Sequence, residues 1–305
     1  MSFFRYLGCV GLAFLVFPGA QAESHCPANV TSLPLRLIQG SLIIVSVRIN
    51  HSGPYDFVVD TGAQTSTVDT SLSSELRLRT EGTTGSRGVA TFSRSEFVHL
   101  ELLEAGDRSV TNSLAVVRDI DDLRAADPRI RGILGDSFLE HFDILIDNRN
   151  KILCLDDTHS LAPTFKREHI DLASPLGSDR DLPFTRPLII AVRVAGSADT
   201  PMLLRLDSGS NAPVLYTRVP CLVNAAGEHN SSLARFVNGT KQRFQVLSAV
   251  DLRIGKHMLP QVSFAVPMNS IGRGLWARED GILPTMAFQR VFISSEGRYA
   301  AVESW

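Results

Sequence analysis

An apolar run that stops abruptly at an acid, a hydroxyl residue and a glycine occurs twice in this chain. The first copy is Phe57-Val58-Val59-Asp60-Thr61-Gly62-Ala63; the second, 147 residues later, is Leu204-Arg205-Leu206-Asp207-Ser208-Gly209-Ser210. Each reads as a buried strand that delivers one carboxylate into a tight turn. The repetition extends well beyond these residues. Upstream, Leu42 to Ile49 matches Leu188 to Val194, and both runs pass through a Gly-containing turn into the acid-bearing strand. Downstream, Gly132-Ile133-Leu134-Gly135 matches Gly281-Ile282-Leu283-Pro284, 72 and 74 residues after the respective aspartates. Each half then closes on a last strand, Lys151 to Leu155 or Tyr299 to Val302. A chain patterned in this way must fold as two copies of one unit.

The first 22 residues stand apart from that repeat. Arg5 precedes an apolar run from Leu7 to Phe17, Pro18-Gly19 break it, and Ala20-Gln21-Ala22 has the small-x-small form of a signal-peptidase site. The run of about eleven apolar residues is short for a bilayer, which needs around twenty. Export to a periplasmic or extracellular space is therefore expected, with no membrane span after cleavage. Domain boundaries follow: 1–22 signal peptide, 23–157 first lobe, 158–180 linker, 181–305 second lobe. The lobes have room for a core each, since about 120 to 140 residues is ordinary for a compact domain. A net charge of -2 supplies no basic field for nucleic acid. Export exposes Cys26, Cys154 and Cys221 to oxidation; three thiols allow at most one intramolecular bridge, and spacing does not choose it. Neither the cysteines nor the eight histidines have metal-ligand spacing, so no metal or other cofactor is expected.

Alternation of apolar and polar residues dominates the mature chain, as in Val98 to Leu102 and Val250 to Ile254, so the fold class is all-β with short helices. Helices are expected at Ser71 to Leu76, Ile120 to Ala126 and Ser137 to His141, where capping residues precede leucines and acids. The proline- and charge-rich stretch from Asp156 to Pro183 reads as the connection between halves.

Placing the two turns face to face gives a definite chemistry. Two carboxylates about 3 Å apart cannot both ionise, so they share a proton, one titrating low and the other high. The charged member takes a proton from water while the protonated member polarises a carbonyl. The glycine two positions on lets backbone N–H groups approach a carboxylate, and the hydroxyl residue can tie one turn to the other.

Asp60-Thr61-Gly62-Ala63 and Asp207-Ser208-Gly209-Ser210 resemble the active-site turns of aspartic peptidases, and Ile133-Leu134-Gly135 is similar to the element that closes each lobe in that family. The Asp-Thr-Gly-Ala form and short lobes resemble the retropepsin-like branch; two lobes in one chain resemble the pepsin arrangement. The resemblance implies two retropepsin-like β-barrel lobes related by a pseudo-twofold axis. It implies that Asp60 and Asp207 are the catalytic dyad, that Thr61 and Ser208 lock the turns, and that Gly62 and Gly209 bring amides to the carboxylates. The activity implied is that of an aspartic endopeptidase acting on peptide or unfolded protein, as a monomer. The alternative is an inactive relative that binds peptide or protein in the cleft. Flaps over that cleft are expected at Thr80 to Phe97 and Ala225 to Phe244.

Two residues set the second copy apart. Pro284 stands where the first copy has Gly135, so the closing elements cannot be identical. Arg205 stands two residues before Asp207, where the first copy has Val58, and a cation there favours ionised Asp207 and opposes the shared proton. Gly135-Asp136-Ser137 is similar to the nucleophile block of a lipase and esterase family, but the last histidine, His257, lacks the Asp partner such chemistry needs.

Overall fold

The structure, a computed structural model, describes residues 26–87, 92–165, 169–173, 187–198, 200–216, 231–237, 240–268 and 279–305. The signal-peptide segment and Cys221 lie outside the described residues. The body is three β-sheets with a few short helices. Helices form at Thr70–Glu75, Asp121–Ala126 and Asp136–Leu139, close to the expected spans, and the first is capped by Asp69, whose side chain accepts from the Ser71 N–H.

Each half builds its acid-bearing strand into the middle of its own sheet. In the first, Ser52–Val59 lies antiparallel to Leu42–Ile49 and parallel to Ile130–Leu134, with Val58 opposite Ile133. In the second, Met202–Asp207 lies antiparallel to Ile189–Val194 and parallel to Gly281–Pro284, with Arg205 opposite Ile282. The matched registers confirm that the repeat in sequence is a repeat in space. A strand buried on both faces has to be apolar throughout, which is why Phe57, Val58 and Val59 are all buried.

The third sheet belongs to both halves. Asp143–Asp147 of the first pairs antiparallel with Arg290–Ser294 of the second, with Leu145 opposite Phe292 and Ile146 opposite Val291. Ile152–Asp156, Thr31–Pro34 and Tyr299–Glu303 extend it outward. Across this shared sheet one cluster of buried residues joins the halves, running from Leu33 and Ile43 through Ile144 and Val291 to Val302. The closing strands of both halves carry apolar side chains on each face, and pairing them across the halves buries both faces at once. The described part of the connection between halves is not all loop. It contains a helix at Ala162–Phe165, with Phe165 stacked on Phe292 at 4.6 Å, and a strand at Ile170–Asp171 paired with Tyr299–Glu303. Among the described residues no helix is long and apolar enough to cross a membrane.

Cys26 and Cys154 form a disulfide across 128 residues of chain, pinning the N-terminal segment to the shared sheet. Closing so long a loop removes much of the unfolded chain's freedom. Cys26→Ala is expected to lower stability by about 2 to 5 kcal/mol, read as a drop in Tm and in the urea midpoint. Three free thiols in the oxidised mature protein, or an unchanged Tm, would refute the pairing.

Candidate active site

The two turns meet between the halves, and their backbones are held by local bonds of the same kind. The Asp60 N–H donates to the Leu134 carbonyl at 3.0 Å, which carries the first strand's ladder to the last residue before the turn. The Gly62 N–H donates to Asp60 Oδ1 at 2.8 Å, and the Gly209 N–H donates to Asp207 Oδ1 at the same distance. Each carboxyl lies against the opposite glycine. A Cβ on Gly62 would stand 2.6 Å from the Asp207 carboxyl carbon, and one on Gly209 would stand 2.3 Å from that of Asp60. Any other residue would push the acids apart, so glycine is required here by close approach.

Thr61 and Ser208 are buried beneath the acids and exchange bonds across the halves. The Thr61 N–H donates to Ser208 Oγ at 3.0 Å, and the Ser208 N–H donates to Thr61 Oγ1 at 3.1 Å. The two hydroxyls then donate onward, Thr61 to the Leu206 carbonyl at 2.9 Å and Ser208 to the Val59 carbonyl at 2.8 Å. Four buried backbone groups from the two acid-bearing strands are thereby satisfied by two side chains.

The carboxyls of Asp60 and Asp207 lie close enough for each to bias the other's titration. Each keeps some surface open to solvent, as a reacting group must, although protein atoms crowd both. Burial raises the pKa of Asp60, against the opposing pull of the Gly62 N–H, Asp207, Arg205 and the Ala63 N–H. Asp207 is raised well above the usual carboxylate range, first by burial and then by the charge of Asp60, with Arg205 and the Gly209 N–H opposing. Both acids are thus biased toward the protonated form, Asp207 the more strongly.

Arg205 does not stand as a bare cation beside Asp207. Its Nε and Nη2 donate to Glu279 Oε2 at 3.0 and 2.8 Å, and its Nη1 donates to the Gly62 carbonyl of the opposite turn at 2.7 Å. The Tyr216 hydroxyl donates to Glu279 Oε1 at 2.9 Å. The expected opposition to the shared proton is thus weakened by a buried counter-charge, and the guanidinium's direct hydrogen bond goes to the turn of Asp60. Glu279 and Tyr216 were not singled out by sequence. A cation inside an apolar strand requires a buried acid, and Glu279, two residues before Gly281, is the available signal.

Pro284 keeps the register of its sheet opposite Asp207, and a short 3-10 helix, Thr285–Ala287, follows it in place of the α-helical turn after Gly135. The lost N–H leaves no orphan. In the first half the Gly135 N–H donates to Ser66 Oγ at 3.2 Å, and strand pairing places Pro213 where Ser66 stands. Donor and acceptor are replaced together. Ser137 is buried against Ser66, Oγ to Oγ at 3.1 Å, which gives it a packing role in place of a nucleophilic one.

Both expected flap segments contain hairpins. Gly82–Arg87 pairs with Phe92–Ala105, and Ser231–Val237 with Thr240–Val246; residues 88–91, 225–230 and 238–239 lie outside the description. Among the described residues no cluster of three or more His, Cys, Asp or Glu is arranged to hold a metal ion.

Residues 45–138 match the family model of aspartyl proteases. Among solved structures, the chain is similar to a retropepsin-like aspartic protease from Rickettsia conorii. The two are 20% identical, and the match covers 41% of this chain and 90% of that one with a TM-score of 0.31. No curated protein matches the chain.

Thr61→Val would leave the Leu206 carbonyl and the Ser208 N–H unpaired in the core. The expected cost is about 2 to 4 kcal/mol in urea denaturation, whereas Thr61→Ser is expected to cost less than half of that. Equal stability of the Val variant and wild type would remove the hydroxyl lock.

Proposed function

We propose that this chain, with an aspartyl-protease domain over residues 45–138 and a retropepsin-like all-β fold, is an exported aspartic endopeptidase with Asp60 and Asp207 as its dyad. The observation that carries the reading is the reciprocal approach of each carboxyl to the other turn's glycine, which supports a shared site for the two acids. Ionised Asp60 removes a proton from a water between the acids as the water oxygen attacks the peptide carbonyl carbon. Protonated Asp207 gives its proton to the carbonyl oxygen, forming a neutral gem-diol. Collapse reverses the traffic: Asp60 passes its proton to the amide nitrogen, the C–N bond breaks, and a gem-diol hydroxyl returns a proton to Asp207. One group cannot act as base and acid in the same step, and the unequal pKa values divide the work.

The two hairpins are suited to cover an extended peptide in the interlobe cleft. Export is supported by the charged, apolar and small-x-small pattern of residues 1–22 and by the Cys26–Cys154 disulfide, which persists in oxidising compartments. A second reading is an inactive relative that uses the cleft to bind peptide. It is favoured by the second copy alone, where Arg205 and Pro284 replace Val58 and Gly135.

Hydrolysis of an unfolded protein across the pH range separates the readings. Activity needs charged Asp60 and protonated Asp207, so it falls as pH drops through the value of the first and as pH rises through that of the second. Both values lie above the ordinary 3.8, which puts both limbs of the bell on the alkaline side of that pH. Asp60→Asn and Asp207→Asn are each expected to lower kcat/KM by about 10³-fold or more. Asp207→Asn should keep the wild-type Tm at neutral pH, because it removes a carboxyl whose charging opposes folding. Wild type inactive at every pH, or either variant as active as wild type, would end the enzyme reading; peptide binding without cleavage would favour the second.

A further inference from the structure

We propose that Arg205 is a positioning residue that acts on Asp60 across the lobe boundary, through the Gly62–Ala63 peptide group, with Glu279 and Tyr216 holding it in place. The inference rests on the endopeptidase reading and names the element that makes the two halves of that site unequal.

The Gly62 carbonyl and the Ala63 N–H are the two ends of one peptide group. Arg205 Nη1 donates to the carbonyl end at 2.7 Å. The N–H end turns back on Asp60, donating to its backbone carbonyl at 3.2 Å, so the same contact fixes Gly62, whose own N–H donates to Asp60 Oδ1 at 2.8 Å. A guanidinium pulling on the oxygen polarises the group and strengthens its N–H as a donor, a cooperative effect that is larger where water is excluded. The guanidinium cannot swing away, because its other two donor nitrogens are committed to Glu279 and the far oxygen of Glu279 is held by the Tyr216 hydroxyl. Arg205 and Glu279 retain only 16% and 8% of their side-chain exposure, so the pair is poorly screened.

Among its described residues the first half contains no equivalent. Strand pairing sets Val58 against Arg205 and Asp69 against Tyr216, and Ile130 stands two residues before Gly132 as Glu279 stands two before Gly281. Val58 and Ile130 carry no polar group, and Asp69 is turned to the Ser71 N–H and Arg124. The two turns have the same Gly N–H contact at 2.8 Å, so the added donor on one peptide distinguishes them. It favours charge on Asp60 and leaves the proton with Asp207. The charged or titratable groups that face this network are Asp60, Asp207, Glu279 and Tyr216, together with Asp136 at the start of the Asp136–Leu139 helix and, beyond it, Glu140 and Arg298.

The double variant Arg205→Gln/Glu279→Gln removes both charges without leaving either one unpaired. The full chain, assayed for kcat/KM against pH, is expected to show its acidic limb moved up by about one pH unit, the scale of one charge-assisted hydrogen bond. Arg205→Lys keeps the charge pair with Glu279 but loses the fork, and is expected to shift the limb upward by less. If the double variant does not fold, the Lys variant carries the test alone. A merely structural role would lower Tm and the amount of active protein without moving either limb, and unmoved limbs in folded variants overturn the proposal. If wild type hydrolyses nothing, the endopeptidase reading fails by itself. The network is then decided by carbon-13 NMR titration of the Asp60 carboxyl, where equal midpoints in wild type and variant overturn it and an upward shift supports it.

Discussion

Two hydroxyl side chains, Thr61 and Ser208, hold the centre of this molecule. Each accepts a backbone N–H from the opposite turn and donates to a carbonyl of the strand that leads into that turn. None of these groups can find water, so losing one partner exposes the full desolvation cost of the other, about 1 to 3 kcal/mol for each orphan. The lock fixes the relative height of the turns, and that height sets the glycines against the opposite carboxyls. Beneath it, the sheet shared through Asp143–Asp147 and Arg290–Ser294 prevents the halves from sliding, because a slip of one residue would reverse the buried faces.

The halves are copies in backbone but not in the chemistry around the acids. Pro284 and Pro213 stand where Gly135 and Ser66 form a hydrogen bond, and a pair of prolines removes donor and acceptor in the same place. Arg205, Glu279 and Tyr216 do the reverse, adding a buried ionic network where the first half has apolar side chains and a helix cap. A single substitution toward Arg205 would have been costly, since an unpaired guanidinium in a strand interior has no compensation. The network is therefore best understood as one unit of three residues.

Much of this was legible in sequence because the signals were local. An apolar run cut off by Asp, Thr or Ser, and Gly specifies a strand, a turn and a close approach within seven residues, and its repetition supplies the partner. The short helices were also legible locally, although only the first carries a side-chain cap, from Asp69, and the other two start at Ile120 and Gly135 without one. What remained hidden depended on contacts far apart in the chain. Arg205 and Glu279 are separated by 74 residues, and Cys26 and Cys154 by 128, so spacing could not identify either pair. The shared sheet was hidden differently: Lys151 to Leu155 and Tyr299 to Val302 read correctly as last strands, but an apolar strand does not state which sheet it joins.

Arg205 shows why an isolated departure from a repeat is a poor guide to its effect. Read alone, a cation two residues before Asp207 belongs electrostatically to Asp207. In the fold, the guanidinium spends two nitrogens on Glu279 and gives the third to the carbonyl of Gly62, which belongs to the turn of Asp60. Charge at short range does act on both acids, but a directed hydrogen bond discriminates between them where a Coulomb field does not. In Asp207, burial and the neighbouring charge of Asp60 outweigh the opposing pull of Arg205 and the Gly209 N–H. A pseudo-symmetric pair of acids needs some asymmetric contact to divide acid from base, and the residue that interrupts the second copy provides one for the first.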